Sequence, residues 1–537
     1  MDKATEMGKI STYNSVQVFL GTSASTVIRA VGAIILGLFI LPADMGLYTV
    51  ALIPSVTLSL FVDLGIGSAL GRYCAKYRAT NEEAEQRKVI IAGLTFGAVA
   101  GLVLTIVSLL LANFFATTMV HRPESTFLIA IVSLTMLPGA LASAVVCVFV
   151  GFEQMKLNSY LSIISAIVYS LLAPLLVYLG YGATGAIIGY TASAVVQGVL
   201  SIVFLYIFVY RKISISKINK SEIFRTLKMM LSYGFPLGVG SLVQNLGSPF
   251  FSFLMATYVT DVVIGNYKIA TNFMVLISFI TIPISNVLFP AFSKFDPRKE
   301  NNLIKIVFTR SVTYTNLLLI PATMAMIVLA TPLVGTLYGN KWSYAPPLLA
   351  LNVAFYLLSL VGSRSMGNLL TAMGESKFML KTSVLSLIVS IPVAFLLVPP
   401  LGINGIIIGL PIAALPGTFI ALYIIWKRYG AIADFRASAK ILLASGLATV
   451  LVYLFLIFFT APYWVLLVVG FIIFLVVYLI SAPLVGAVNQ SDINNLRTMF
   501  SGIGIISKLL DIPLKIMQTI LKKTHKKSQV EQFTTQA

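Results

Sequence analysis

Long apolar runs and short polar ones alternate along the whole chain. Fourteen of the apolar runs can cross a hydrocarbon core of ~30 Å as helices, some only when tilted. The first six lie at about 13–41, 47–70, 89–116, 125–150, 158–179 and 185–210. A basic stretch at 211–228 separates them from six more, at about 231–258, 262–290, 303–330, 344–372, 381–398 and 405–426. Two further runs, about 439–459 and 463–485, precede a polar, basic tail that starts at Asn489. The runs lack the period-two alternation of a membrane β-barrel, so the pattern predicts helices. Prolines interrupt several of them, and Pro236, Pro249 and Pro283 mark bends in the seventh and eighth.

The runs repeat. Gly182, Gly185 and Gly189 match Gly402, Gly405 and Gly409 at an offset of 402 − 182 = 220. Gly46-Leu47-Tyr48 matches Gly265-Asn266-Tyr267 at 265 − 46 = 219. Two matches at nearly one offset predict an internal duplication of six spans per copy. Six is even, so both copies enter the membrane in one orientation, with the repeat axis along the membrane normal and a substrate site between the lobes. The expected organisation is a six-helix lobe at 1–210, a linker at 211–230, a second six-helix lobe at 231–430, two extra helices at 431–486 and a tail at 487–537.

Composition agrees with a polytopic membrane protein: 58% hydrophobic, 10% charged, mean hydropathy +0.96. The net charge of +19 is spread over loops on one side, and the opposite loops carry little beyond Arg122 and Lys341. That distribution argues against nucleic acid as a partner and puts the N-terminus, the 211–228 loop and the C-terminus in the cytoplasm. The first apolar run is too long for a signal h-region and reads as a retained span. In the tail, apolar residues recur at near-helical spacing from Ile493 to Leu521, with Lys508, Lys515, Lys522 and Lys523 in or just after them. This is either a solvated tail or an amphipathic helix on the anionic inner leaflet.

No catalytic constellation or nucleotide-binding loop is visible, no cofactor is expected, and His121 and His525 have no partners at metal-ligand spacing. Cys74 and Cys147 read as small packing residues rather than a disulfide. The informative residues are charges inside spans, where charge is expensive. Arg29 is the hardest to explain structurally, and Arg364 sits at similar risk; a guanidinium in a watery cavity binds two phosphate oxygens at once. Asp63 is either a coupling or ion-pair residue or a local cap. Arg310 and Lys268 can snorkel to the interfaces. Asn245, Gln244, Asn272, Asn286, Asn14 and Gln17 offer amides for interhelical bonds or sugar hydroxyls, with Asn245 the cavity candidate.

An ordered set of features is similar to the oligosaccharide flippase family of polysaccharide export, within the superfamily that also holds the multidrug and toxin extrusion antiporters and the lipid II flippases. The set comprises Asp44 with Gly46-Leu47-Tyr48, the Asp63-Leu-Gly-Ile-Gly-Ser-Ala-Leu stretch, Gly151-Phe152-Glu153-Gln154, its echo Gly374-Glu375-Ser376-Lys377, and Gly182-x-x-Gly-Ala-Ile. The resemblance covers about residues 10–430. It implies an all-α, V-shaped transporter whose spans one, two, seven and eight line a basic cavity.

The reading that follows is a flippase moving a polyprenyl-phosphate- or diphosphate-linked oligosaccharide to the outer leaflet of the cell membrane, with membrane lipids and glycan-assembly enzymes as further partners. A cation-coupled drug antiporter would want acidic cavity residues. A non-transporting scaffold would tolerate charge swaps in the cavity. A membrane glycosyltransferase would need catalytic acids and a large outer loop.

Overall fold

The computed structural model describes residues 3–213, 219–295, 300–500 and 511–522, with side chains from residue 21 onward except at 283, 286, 287, 290, 376, 377 and 498–500. Among the described residues the secondary structure is helical throughout. The first helices are α1 (Lys3–Phe39), α2 (Pro42–Asp63), α3 (Ile66–Ala79), α4 (Glu83–Leu110), α5 (Thr126–Ser133), α6 (Met136–Gly151), α7 (Met155–Leu176) and α8 (Gly182–Phe208). After the basic linker come α9 (Lys220–Asn245), α10 (Gly247–Tyr258), α11 (Asp261–Asn272), α12 (Val275–Ser293), α13 (Asn301–Val328), α14 (Ala330–Tyr338), α15 (Ala345–Ala354) and α16 (Ser363–Ala372). The last are α17 (Ser376–Leu401), α18 (Ile403–Tyr429), α19 (Phe435–Phe458), α20 (Tyr463–Leu484), α21 (Gln490–Phe500) and α22 (511–522).

Eleven segments among these are long and apolar enough to cross a membrane, or twelve when one bent pair counts as a span. The expected fourteen is not confirmed. A π-turn at Val177–Tyr181 joins α7 to α8, so 58 residues from Met155 to Lys212 count as one stretch. The seventh apolar run is two helices, α9 and α10, broken after Asn245.

Packing groups the chain into two compact units. One comprises Met1–Lys268 with Leu387–Leu410, the other Ile269–Ser386 with Pro411–Ala537. In the first unit α1 lies along α7, α7 along α8, and α6 against α3, α4 and α8. Leu70, Ile90, Val145, Phe149, Leu161 and Met230 form its buried centre. Because a helix satisfies its own backbone, helices in lipid gain by approaching closely through small residues. Two such approaches fix α2. Near its start, a Cβ on Gly46 would fall well under 3.0 Å from the Asp261 backbone, and one on Gly265 equally close to Pro42. At its end, Leu64 and Gly65 take left-handed φ values of 43° and 83°. There the turn into α3 lies so close to Gly234 and Gly238 of α9 that neither side has room for a Cβ. Arg72 stacks on Tyr233 beside this contact, 4.1 Å from the ring centroid.

In the second unit α13 is the buried helix, packed against α19 and the segment leading to α16. The tail completes this unit. Ile493, Leu496, Leu514, Met517 and Leu521 are buried against residues of α13, α19 and α20, while Ile512 and Ile516 stay exposed. In the two described tail helices, α21 and α22, the apolar residues at helical spacing dock on the protein, while residues 501–510 of the expected stretch lie outside the described residues. Asp511 donates nothing and accepts from Lys515 and Arg497, which hold its carboxyl below the usual carboxylate range. Lys508, Lys523 and His525 lie outside the described residues.

Gly65→Val is expected to cost about 2 kcal/mol or more, since it meets both a left-handed φ and opposing backbone. Gly446→Ala, with open space around it, should be neutral to slightly stabilising. Thermal unfolding of both variants in detergent, followed by size-exclusion fluorescence, measures the difference.

Candidate functional site

A polar cavity lies wholly in the second unit, and it starts from a broken helix. α15 runs into a 3-10 segment, Phe355–Val361, which ends at Gly362 with φ 87°. From there α16 departs at 57°. Glycine at this φ is what lets the chain turn within an apolar run. The break leaves the N-terminus of α16 without a side-chain cap, and the partial positive charge of that end favours an anion. Arg364 is the second residue of α16. It is exposed, and its guanidinium carbon lies 4.5 Å from the Tyr356 ring centroid. The stacking holds the planar fork while leaving its N–H edge free to bind in-plane acceptors.

The cavity beside Arg364 has a volume of about 530 Å³ and runs between α12, α13 and α16. Ser285, Asn368, Thr281, Thr315 and Thr371 supply hydroxyls and an amide around it. Thr315 is only 3% exposed, and its Oγ1 has no hydrogen-bond partner among the described residues. Ser359 and Ser365, which flank the helix break, are buried, and their hydroxyls too have no partner among the described residues. A buried hydroxyl left unpaired is costly, so these groups are poised for a polar guest or water.

Arg29, in the first unit, sits half-buried on α1. Its Nη2 donates to Ser165 Oγ on α7 at 2.8 Å, and its guanidinium lies 5.9 Å from the Tyr169 ring centroid. Tyr169 shares a hydrogen bond with the buried Tyr48 of α2. Arg29 and Arg364 therefore belong to different packed units, and among the described contacts each rests on tyrosine rather than on a carboxylate.

The other candidates fall out differently. Asp63 Oδ1 accepts from Gly67 N at 2.5 Å, capping α3 across the left-handed turn, so its described role is local. Asn245 is exposed and donates to Ser241 O of its own helix at 2.8 Å. Arg310 pairs with Asp492 of the tail at 3.1 Å, and Asp492 is 6% exposed on its side chain. That ion pair ties α13 to α21, a role that replaces snorkelling. Lys268 lies at the last position of α11 inside the first unit. Cys74 and Cys147 are free thiols. The side chains of Asn14, Gln17 and Asn286 lie outside those described.

Two features went unread in the sequence. The Gly362-Ser363-Arg364 break was signalled by a glycine and an arginine within an apolar run. The second feature is an apolar cavity of about 240 Å³ among α13, α20 and the tail helices, lined by residues such as Leu317, Pro321, Phe474, Tyr478, Leu496 and Met517.

This architecture defines a multi-pass, all-α membrane protein with a basic, hydroxyl-rich cavity against a broken helix. The family model described as "Polysaccharide biosynthesis protein" matches residues 12–296, more than half of the chain, and the chain belongs to that family. It is 25% identical over 198 residues to the lipopolysaccharide biosynthesis protein WzxC of Escherichia coli K12, covering 37% of this chain and 40% of WzxC. It is 22% identical over 169 residues to a probable low-salt glycan biosynthesis flippase, Agl15, of Haloferax volcanii, covering 31% and 36%. The matched region spans about two fifths of these curated relatives. Among solved structures, the lipid II flippase MurJ in an inward closed conformation superposes with a TM-score of 0.69 at 15% identity, covering 87% of this chain and 98% of MurJ. An inward-facing multidrug resistance transporter of the MATE family gives 0.57 at 17% identity, covering 77% and 98%. The fold is thus the one those transporters share.

Asp63→Asn retains an acceptor for Gly67 and should leave thermal stability within about 0.5 kcal/mol of wild type, whereas Asp63→Ala should lose about 1 kcal/mol. Unfolding in detergent tests the cap. Equal losses in the two variants would give Asp63 a charge-dependent role instead.

Proposed function

We propose that this protein is a flippase that carries a polyprenyl-phosphate- or diphosphate-linked oligosaccharide from the cytoplasmic to the outer leaflet of the cell membrane. The observation that carries the reading is the Arg364 cavity: a fork-shaped cation and a helix N-terminus facing one space, with hydroxyls and an amide around it. A phosphate suits the first pair. The hydroxyls and the amide suit sugar hydroxyls, and Thr315 Oγ1 gains a partner on binding. Membership of the polysaccharide biosynthesis family and the similarity to Agl15 and WzxC support the same class of cargo.

The physical task is to move a large polar head across ~30 Å of hydrocarbon. A polar cavity shelters the head while the lipid tail remains in the bilayer. Arg29 provides a second cationic position, in the first unit. The basic loops put the N-terminus, the 211–228 linker and the C-terminus in the cytoplasm. The start of α2, the Arg122 turn and the start of α11 are then on the outer side. Glycan-assembly enzymes are the partners that supply the substrate on the inner side and use it on the outer side.

The test uses a strain lacking the protein, with carrier-linked glycan measured in extracted lipids alongside surface glycan. Loss of the protein should raise the first and deplete the second. Wild type should restore both. Arg364→Ala should restore at most about a tenth of wild-type surface glycan, matching the loss of one charged hydrogen-bonding group, while expressing as folded protein. Normal glycan pools in the deletion strain, or full restoration by both Arg364→Ala and Arg29→Ala, would refute the reading.

A further inference from the structure

The outer end of α2 carries a second, independent arrangement. Gly46 and Gly265, equivalent positions of the sequence repeat, meet each other's helices. Gly46 abuts the backbone of Asp261, and Gly265 abuts that of Pro42. Pro42 and Asp261 are themselves equivalent, since 261 − 42 equals 265 − 46, which is 219. The crossing is therefore pseudo-symmetric, each helix offering a glycine four residues in from its first residue. With no Cβ between the two backbones at Gly46 and Gly265, that level of the crossing leaves no gap for water.

Beside the crossing lies a clasp. Arg122 Nε donates to Asp261 Oδ1 at 2.9 Å and Oδ2 at 3.0 Å, and Nη2 donates to Val259 O at 2.9 Å. Nη1 donates to His121 O at 3.1 Å and, more weakly, to Val120 O at 3.5 Å. One guanidinium thus joins the turn between α4 and α5 to the turn between α10 and α11. His121 takes φ 56°, a strained value for a non-glycine residue, and its carbonyl is one of the acceptors. The side chains of Arg122 and Asp261 remain 17% and 20% exposed. A pair at that depth is well formed, yet both charges can rehydrate when it parts, unlike a fully buried pair. Asp261 opens α11, whose residues through Lys268 fall in the first unit, and the chain enters the second at Ile269.

We infer that Arg122 and Asp261 are gate residues: their ion pair holds the glycine crossing of α2 and α11 shut on the outer side, and it parts when that side opens. The inference rests on the orientation and transport reading proposed above. It assigns the two residues a positioning role, since neither need touch the cargo. A swap of the two charges preserves the attraction, so the device is defined by complementarity rather than by residue identity.

The test reads the crossing directly, without cargo. In a Cys74→Ala/Cys147→Ala background, Ile264→Cys places a thiol at a fully buried position next to Gly265, and Val262→Cys places one at an exposed position on the same helix. Whole cells are treated from outside with a membrane-impermeant maleimide. With the clasp intact, Ile264→Cys should label at least about tenfold more slowly than Val262→Cys. Adding Asp261→Asn or Arg122→Gln should raise Ile264→Cys labelling about tenfold. The reversed pair Arg122→Asp/Asp261→Arg should return it to within about twofold of the intact clasp. Arg122→Lys, which keeps the charge and loses the fork, should fall between. Gly265→Ala should raise labelling with the ion pair intact and serves if the clasp variants fold poorly.

Labelling that ignores both single substitutions, or a reversed pair no better protected than the singles, overturns the inference. The transport reading fails separately. If labelling answers to the clasp while carrier-linked and surface glycan pools do not respond to deletion of the protein, the clasp stands and the flippase assignment falls.

Discussion

The structure depends on backbone-to-backbone contact along α2. Helices in a membrane have no hydrophobic drive to associate with one another, and close packing supplies much of what remains. α2 obtains it at both ends: Gly46 against α11, and Gly65 against Gly234 and Gly238 of α9. At these points even one methyl group is too much. The two helices after the basic linker that approach α2 so closely come from the second half of the repeat, and in packing they belong with the first unit. The glycine contacts thus bring α9 and α11 against α2.

Polar groups are placed in keeping with that frame. Charges that hold helices together are paired: Arg122 with Asp261, Arg310 with Asp492, Lys88 with Glu85 and Glu222. Arg29 and Arg364 differ, lying against tyrosine rings instead. An arginine stacked on a ring keeps its donors and its charge for another acceptor. At Arg364 that capacity coincides with a helix N-terminus and buried hydroxyls without partners. A broken helix at the site is the membrane solution for bringing backbone polarity to a cavity, tolerated because the break lines the cavity rather than facing lipid.

Much of this was legible in the chain. The apolar runs marked the helices, and the glycine echo at 219 and 220 residues marked the positions that matter, because glycine at equivalent places in two copies reports close approach. What the echo could not tell is that α2 and α11 meet at Gly46 and Gly265, while Gly182 lies against Asp44 and Gly402 near Val259. Arg364 was recognisable as an expensive charge, but its cavity needed the turn at Gly362, whose φ no periodicity reveals. Asp63 looked equally expensive, and its carboxylate accepts from Gly67 N across the left-handed turn at Leu64 and Gly65, a local contact that no spacing in the sequence reveals. Arg310 could not be read locally at all, since its partner lies 182 residues away in the tail. The count of fourteen runs is not confirmed: by length and composition eleven or twelve segments qualify among the described residues, with α7 and α8 taken as one stretch across the π-turn, and the seventh run is two helices, α9 and α10.

The proposed flippase activity requires that the purified protein, with no other protein present, carry a phosphate-linked glycan lipid across a bilayer. The direct measurement uses the purified protein reconstituted into sealed vesicles containing a polyprenyl-diphosphate-linked oligosaccharide with a fluorescent sugar label. A glycosidase is added outside, and the protected fraction is followed with time. With a flippase present, the protected, inner-leaflet half becomes cleavable, whereas in protein-free vesicles it stays protected. Equal protection in the two preparations, with the protein shown to be folded, would contradict the proposed activity.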